Sequence, residues 1–134
     1  MFNSLIHGEA LFEILIESSN PYADGPLTEG EQTRLKEAGL DQAALDALAI
    51  GRVVMGGRGV WALAGDRLVV LGYRYRDSVD TLSRQDITHA EHETGRYGET
   101  VRLQTRQGQW AMYGVDAARA VQLVGQLSRS PAHA

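Results

Sequence analysis

Residues 60–71 read VWALAGDRLVVL, two short apolar runs rich in β-branched and aromatic side chains on either side of Gly65 and Asp66. Apolar runs separated by a Gly-Asp pair are typical of two antiparallel strands joined by a tight hairpin turn. The sequence therefore predicts paired strands at 59–64 and 67–73.

Runs of the same kind surround this hairpin. They occupy residues 52–55, 78–83, 87–94, 99–105 and 110–115. Turn-forming residues separate them, and two more hairpin turns are predicted at 95–98 and 106–109. In residues 99–105 apolar and polar side chains alternate, which gives a strand one buried and one solvent-facing side. Seven short strands at close spacing predict an antiparallel sandwich or barrel and not an alternating βαβ arrangement.

The hydrophobic period changes from two to that of a helix after the last strand. Asp116 is a good helix N-cap, and Arg129 lies where a cation favours the helix dipole. The predicted buried stripe of this C-terminal helix is Ala117, Ala120, Val121, Val124 and Leu127. Such a stripe needs an apolar surface, and we expect the helix to cap the open end of the barrel.

Residues 1–50 predict helices. In residues 3–18, glutamates at every fourth position oppose Leu5, Phe12, Leu15 and Ile16, the pattern of an amphipathic helix. This helix packs on the barrel or mediates self-association, and residues 18–26, with two prolines, predict a loop.

Two more helices follow this loop. Thr28-x-x-Glu31 is a capping box that begins a second helix, which Gly39 ends. Asp41 caps a predicted third helix with Ala44, Leu45 and Leu48 as its buried stripe before Gly51.

The predicted organisation is a helical segment at 1–50, a barrel with its closing helix at 51–129 and a disordered tail at 130–134. Charge changes at the same boundary: residues 1–50 hold two basic against nine acidic residues, whereas residues 51–134 hold eleven against eight. The two halves carry −7 and +3, which is consistent with mutual attraction or with two unrelated solvated surfaces. The fold class is α+β.

Composition limits the function classes. Hydrophobic residues make up 43% and charged residues 22% of the 134 residues, a globular composition, and no window reaches the length of a membrane helix. The chain has no cysteine, which excludes disulfides and thiolate metal sites and suits a reducing cytoplasm. Residues 1–16 lack a basic leader, so we expect no signal peptide.

The chain resembles bacterial members of the pleckstrin-homology-like (PH-like) domain family. The resemblance rests on residues 59–71 as paired early strands, 82–87 as the connection between two strands, and the helix after Asp116. It covers residues 52–128 and implies a seven-stranded barrel closed by one helix. Eukaryotic members often bind phosphoinositide headgroups near the early strands, whereas bacterial members are better regarded as protein-binding or self-assembling scaffolds. The resemblance therefore implies a fold more firmly than a ligand.

A candidate anion site lies on the early turns. Its residues are Arg52, Arg58, Tyr73, Arg74, Tyr75 and Arg76, where guanidinium groups grip phosphate or carboxylate and the rings stack. Alternating Tyr and Arg are also typical of a solvated strand surface, and Asp77 and Asp80 weaken the field.

Residues 89–93, HAEHE, suggest a metal site only on a helix. On the strand predicted here, His89, Glu91 and Glu93 point one way and His92 the other, so we expect a polar strand face and no metal. No phosphate loop or nucleophile elbow is present, and the arginine content reflects codon usage more than a nucleic-acid site.

These patterns predict a non-enzymatic, cytoplasmic binding module without a cofactor. The expected partner is another protein or a second copy of the chain, as a homo-oligomer, held through strand edges and the N-terminal helices. The alternative is an anionic lipid or a small anion bound by the arginine-rich rim. We expect no nucleic-acid partner.

Overall fold

The structure is a computed structural model and describes residues 26–41, 44–53 and 57–128. In chain order its elements are α1 (Glu29–Glu37), β1 (Ala47–Arg52), β2 (Arg58–Ala64), β3 (Arg67–Leu71), β4 (Val79–Ser83), a 3-10 helix (Arg84–Asp86), β5 (Ile87–Gly95), β6 (Gly98–Thr105), β7 (Gly108–Val115) and α2 (Ala117–Ser128). The predicted helix at 3–18 and the tail at 130–134 lie outside the described residues. Neither described helix has the length and apolar character needed to cross a bilayer.

The seven strands form one antiparallel sheet in the order β4-β3-β2-β1-β7-β6-β5. Neighbours in the sheet are consecutive in sequence except at one place, where β1 pairs with β7 through Arg52 and Tyr113. The two edge strands, β4 and β5, are consecutive in sequence and are connected by the 3-10 helix. With α2 this makes an α+β fold with a seven-stranded antiparallel sheet, as predicted.

One apolar cluster joins both halves of the sheet to α2. It contains Ala47, Ala49, Trp61, Leu63, Leu68, Val70, Leu82, Ala90, Val101, Leu103, Met112, Val115, Ala120, Leu123 and Leu127. On β1, β2, β3 and β6 the contributing side chains are two residues apart and so lie on one face of the sheet, which must curl around this interior for them to meet. Hydrogen bonds fix α2 over it: Gln122 donates to the Asp46 carbonyl (3.2 Å), and Arg84 donates to the Gln126 carbonyl.

A second apolar cluster covers the outer face of β1, β2 and β3. It contains Leu27, Leu35, Leu40, Ile50, Val60, Ala62, Val69 and Leu71, so α1 packs against the sheet from outside. Strands β2 and β3 are therefore buried on both faces, which explains why their sequences are almost continuously apolar. In β6, by contrast, Arg102 and Gln104 alternate with the buried Val101 and Leu103.

Several sequence predictions are confirmed. Thr28 and Glu31 form the predicted capping box at the start of α1, and Gly39 after its end has a φ of +89°. The three predicted hairpin turns lie at Gly65-Asp66, Arg96-Tyr97 and Arg106-Gln107.

The predicted third helix is wrong from residue 47 onward, because residues 47–52 form β1. The strand predicted to begin at residue 52 therefore begins five residues earlier. Leu48 is half-buried and packs against the outer cluster, so its apolar character serves a strand and not a helix. In α2 the buried residues are Ala120, Leu123 and Leu127. Ala117 and Val121, both predicted to be buried, are exposed, Val121 to 57%.

Gly51 allows β1 to approach β7 closely. A Cβ atom at this position would lie 2.5 Å from the Tyr113 carbonyl oxygen and 2.8 Å from Met112 Cγ. We expect Gly51→Ala to lower the free energy of unfolding, measured by urea denaturation, by about 1–3 kcal/mol because the added methyl displaces packed backbone.

Gly125→Ala is the matched control. Gly125 lies in α2, where an added Cβ meets nothing within 4 Å, so the change should raise stability by about 0.5–1 kcal/mol. An unaltered stability of Gly51→Ala would contradict the close approach of the two strands.

Candidate functional site

A cleft of about 560 Å³ lies between α1, the start of β2 and the loop from Gly72 to Ser78. Five of the six predicted site residues line this arginine cleft: Arg58, Tyr73, Arg74, Tyr75 and Arg76. Arg34 of α1, which the sequence prediction did not include, also lines it. The early turns therefore do meet at one place, as the strand pattern indicated.

Arg52 is the predicted residue that does not line the cleft. It lies opposite both Arg58 and Tyr113 in the sheet, at the junction of β1 with β7. Burial, together with repulsion from Arg58, lowers the pKa of Arg52.

Arg58 forms an ion pair with α1. Its Nε donates to Glu31 Oε2 (2.6 Å) and its Nη2 donates to Glu31 Oε1 (2.9 Å), a two-pronged contact between side chains that are 17% and 7% exposed. Nη2 also donates to the Pro26 carbonyl (3.3 Å). Because the same carboxylate caps α1 through the Thr28 N–H, this arginine fixes the helix on the sheet.

Arg74 is also neutralised within the chain. Its Nη2 lies 2.8 Å from Asp80 Oδ1, its guanidinium carbon lies 5.7 Å from the centre of the Tyr75 ring, and the bond with Asp80 raises the pKa of Arg74. Arg34 donates to the Arg76 carbonyl (3.4 Å) and lies 3.8 Å from Asp77. Asp77 and Asp80 do weaken the field, as the sequence suggested.

The two tyrosines differ in role. The Tyr73 ring lies 4.4 Å from that of Trp110 and 6.4 Å from that of Trp61, measured between centroids, and its hydroxyl accepts from the Ala111 N–H (3.2 Å). Tyr73 is thus part of the interior wall. Tyr75 is 62% exposed. Among the described residues the side chain of Arg76 has no ion pair, so Arg76 and Tyr75 are the groups most available to a ligand.

A larger and shallower depression, of about 830 Å³, runs along α1. It is lined by Glu29, Gln32, Thr33, Lys36, Gly39, Leu40 and Asp41. Its charges are of both signs and none of the predicted site residues lies there, so it does not match the anion-site prediction.

The second candidate surface is the edge of β5. This strand has nine residues, and in the described part of the chain it pairs with β6 alone. His89, Glu91 and Glu93 lie on its outer face, where His89 Nε2 is 3.1 Å from Glu91 Oε1 and Arg102 is 3.2 Å from Glu93. The strand position of these residues is confirmed, and no three His, Asp or Glu side chains in the described ranges converge on a metal position.

The inner face of the same strand carries a buried carboxylate contact. Glu99 of β6 is 7% exposed, and its two oxygens receive His92 Nδ1 (2.7 Å) and the Thr94 hydroxyl (2.8 Å). These two hydrogen bonds lower the pKa of Glu99. The same two hydrogen bonds connect the C-terminal half of β5 to β6. This edge strand is therefore held in place by side chains as well as by its backbone.

No protein-family model matches the sequence, and a search of curated proteins found no match. The arginine cleft and the edge of β5 are therefore the two surfaces from which a function can be inferred. The arginine cleft was foreseeable from Arg and Tyr spacing in residues 73–76. The β5 edge was not, because the position of a strand within a sheet is set by long-range pairing.

Glu31 gives the cleft a pH dependence. Burial raises the pKa of Glu31, but hydrogen bonds from Arg58 and Thr28 and the charge of Arg58 outweigh it and leave the pKa below its usual value. The carboxylate therefore stabilises the fold above the unfolded-state pKa of about 4.3, and this stabilisation is lost as the pH falls through the lower folded-state pKa.

We expect Glu31→Gln to lower the free energy of unfolding at pH 7 by about 2–4 kcal/mol, since it leaves Arg58 without its buried partner. The difference from the native chain should shrink as the pH falls to about 3, measured by urea denaturation at each pH. Glu29→Gln, an exposed change in the same helical turn, should cost less than about 0.5 kcal/mol. A difference independent of pH would rule out this assignment.

Proposed function

We propose that the chain is a PH-like binding module of the cytoplasm that holds an extended segment of a partner protein against the free edge of β5. The proposal assigns no catalytic residue and no cofactor. The order of elements supports the assignment to the PH-like family. A four-stranded meander and a three-stranded meander are joined through β1 and β7, and one helix follows them. This is the arrangement that the sequence resemblance implies.

The observation that carries the binding proposal is the side of β5 that has no partner strand within residues 26–41, 44–53 and 57–128. A strand with one neighbour leaves alternate backbone N–H and C=O groups along its other side without a partner strand, and an added strand satisfies them. Nine residues offer a longer edge than the five of β4. The bonds of Glu99 hold β5 in an extended form before a partner arrives, which reduces the entropy lost on binding.

A titration of the labelled protein with a synthetic strand tests this proposal. The probe is a nine-residue peptide of alternating valine and serine with a proline at each end, and we expect amide shifts in NMR spectra to concentrate in β5. Two N-methylated forms of the peptide, each blocked at one alternate set of amides, provide the control. A strand joins the sheet through one set only, so one form should bind and the other should not.

Equal binding of the two methylated peptides, or shifts elsewhere than β5, would be incompatible with strand addition. A second copy of the chain is the other occupant that a free edge allows. Self-association predicts a mass in solution above that of the monomer, and a monomer at high concentration counts against it.

The arginine cleft supports a second candidate function, the binding of an anionic lipid or small anion, because five predicted residues meet there. We expect vesicles of acidic phospholipid to retain the protein at low salt, and Arg76→Ala to weaken retention about fivefold, since a basic residue near such a surface contributes about 1 kcal/mol. Arg106→Ala, on the turn between β6 and β7, removes an exposed arginine far along the chain from the cleft and should have no effect. The absence of retention at low salt would eliminate the lipid.

A further inference from the structure

The free edge of β5 has two different flanks. On its outer face stand His89, Glu91 and Glu93, and the side chains of both glutamates are more than half exposed. The inner face, at Ala90, packs into the cluster that contains the buried side of α2. An added strand directs successive side chains to these two faces in turn, so one half of its side chains meets each flank.

The inner flank combines apolar side chains of α2 with the polar His92 and Thr94 of β5, which bond to Glu99. Gln122 bonds to Asp46 beside β1, which marks the side of α2 that faces β1. Val124 lies two residues later and therefore about 200° around the helix, on the side away from β1. Val124 packs on the edge of the interior cluster, and Val121 beside it is 57% exposed. Since α2 contacts β1, β5 and β6, the side of the helix away from β1 is the side toward β5 and β6.

The outer flank carries an unbalanced negative charge. Arg102 lies opposite Glu91 in the sheet, but its guanidinium is 3.2 Å from Glu93. Among the described residues the ion pair of Glu91 is with His89, which is a cation only when protonated. Farther along the same sheet, Arg106 lies 3.6 Å from Asp86 and so contributes no excess charge. One arginine therefore serves two glutamates in this row, and when His89 is neutral the row keeps a net negative charge that a basic side chain of a partner strand can meet.

The same charge disfavours a second copy at this edge. The antiparallel register that pairs all nine residues of β5 with β5 of another copy sets Glu91 opposite Glu91, and like charges directly opposite each other are destabilising. Charges on an edge strand prevent self-pairing in this way, and they also discriminate among partners by their sign.

We infer that the partner held at the β5 edge is a protein segment in which apolar side chains alternate with lysine or arginine. The apolar side chains face Val121 and Val124, and the basic ones face Glu91 and Glu93. This inference rests on the proposed function, because it assumes that β5 accepts a strand. It adds the chemistry of that strand.

Three synthetic peptides test it, each nine residues long with a proline at each end. They alternate valine with lysine, with serine or with glutamate, and the dissociation constant of each is measured from the shifts of β5 amides. We expect the lysine peptide to bind about tenfold more tightly than the glutamate peptide, with the serine peptide between them, because cross-strand charge pairs are attractive in one case and repulsive in the other.

Glu91→Lys should abolish or reverse this preference. Thr81→Lys adds the same side chain to the other edge strand, β4, where residue 81 is exposed, and should leave the preference unchanged. Since both positions are exposed, the amide spectrum of each variant should remain that of the folded chain.

The outcomes separate the two proposals. If no peptide shifts β5, strand addition itself fails, and the inference with it. If all three peptides bind equally, or the glutamate peptide binds most tightly, strand addition stands and the charge preference is overturned. A preference that survives in Glu91→Lys overturns the role of Glu91.

Discussion

The two halves of the sheet are joined by a single close approach of backbone. Strand β1 belongs to the meander with β2, β3 and β4, and at Arg52 it also pairs with Tyr113 of β7. Gly51 makes this possible, because a side chain there would overlap the Tyr113 carbonyl. Without that junction the inner faces of the two halves would not enclose one interior, and α2 would have no common surface to cover. The positions of the cleft and of the β5 edge both follow from this closure.

The features that sequence predicted correctly are those set by neighbours in the chain. Gly65-Asp66 specifies a turn, and Thr28 and Glu31 cap a helix. The alternation of apolar and polar side chains in β6 specifies one solvent-facing side. The third helix failed for a different reason. Residues 44–50 have apolar side chains at helical spacing, but residues 47–50 pair with β2, and β1 also reaches the distant β7 through Arg52 and Tyr113. Burial of β1 on both faces removes the period-two signal, so tertiary pairing decided what local pattern left ambiguous.

In the arginine cleft, too, some features follow from neighbours in the chain and others from tertiary contacts. Tyr and Arg spacing in residues 73–76 located the cleft, and Asp77 and Asp80 were foreseeable as nearby opposing charges. The partner of Arg58 was not foreseeable, since Glu31 is 27 residues away and reaches it only because α1 packs outside β2. Tyr73 likewise became a wall of the interior through Trp110 on β7. Sequence spacing identifies which charges are present, whereas the fold determines which of them remain available.

The arginine cleft and the edge of β5 differ in how many of their binding groups already have a partner within the chain. An anion that recruits Arg58 has to displace Glu31, and the displaced carboxylate would be left buried without its cation, which costs several kcal/mol. An anion that binds Arg74 has to compete with Asp80, but this ion pair is weak because the Arg74 side chain is exposed. The edge of β5 presents no such competition, because its outward backbone groups exchange water for a partner strand while the bonds to β6 and Glu99 stay intact. An anion in the cleft would therefore be held mainly by Arg76, and the proposed addition of a strand at β5 would disturb the fold least.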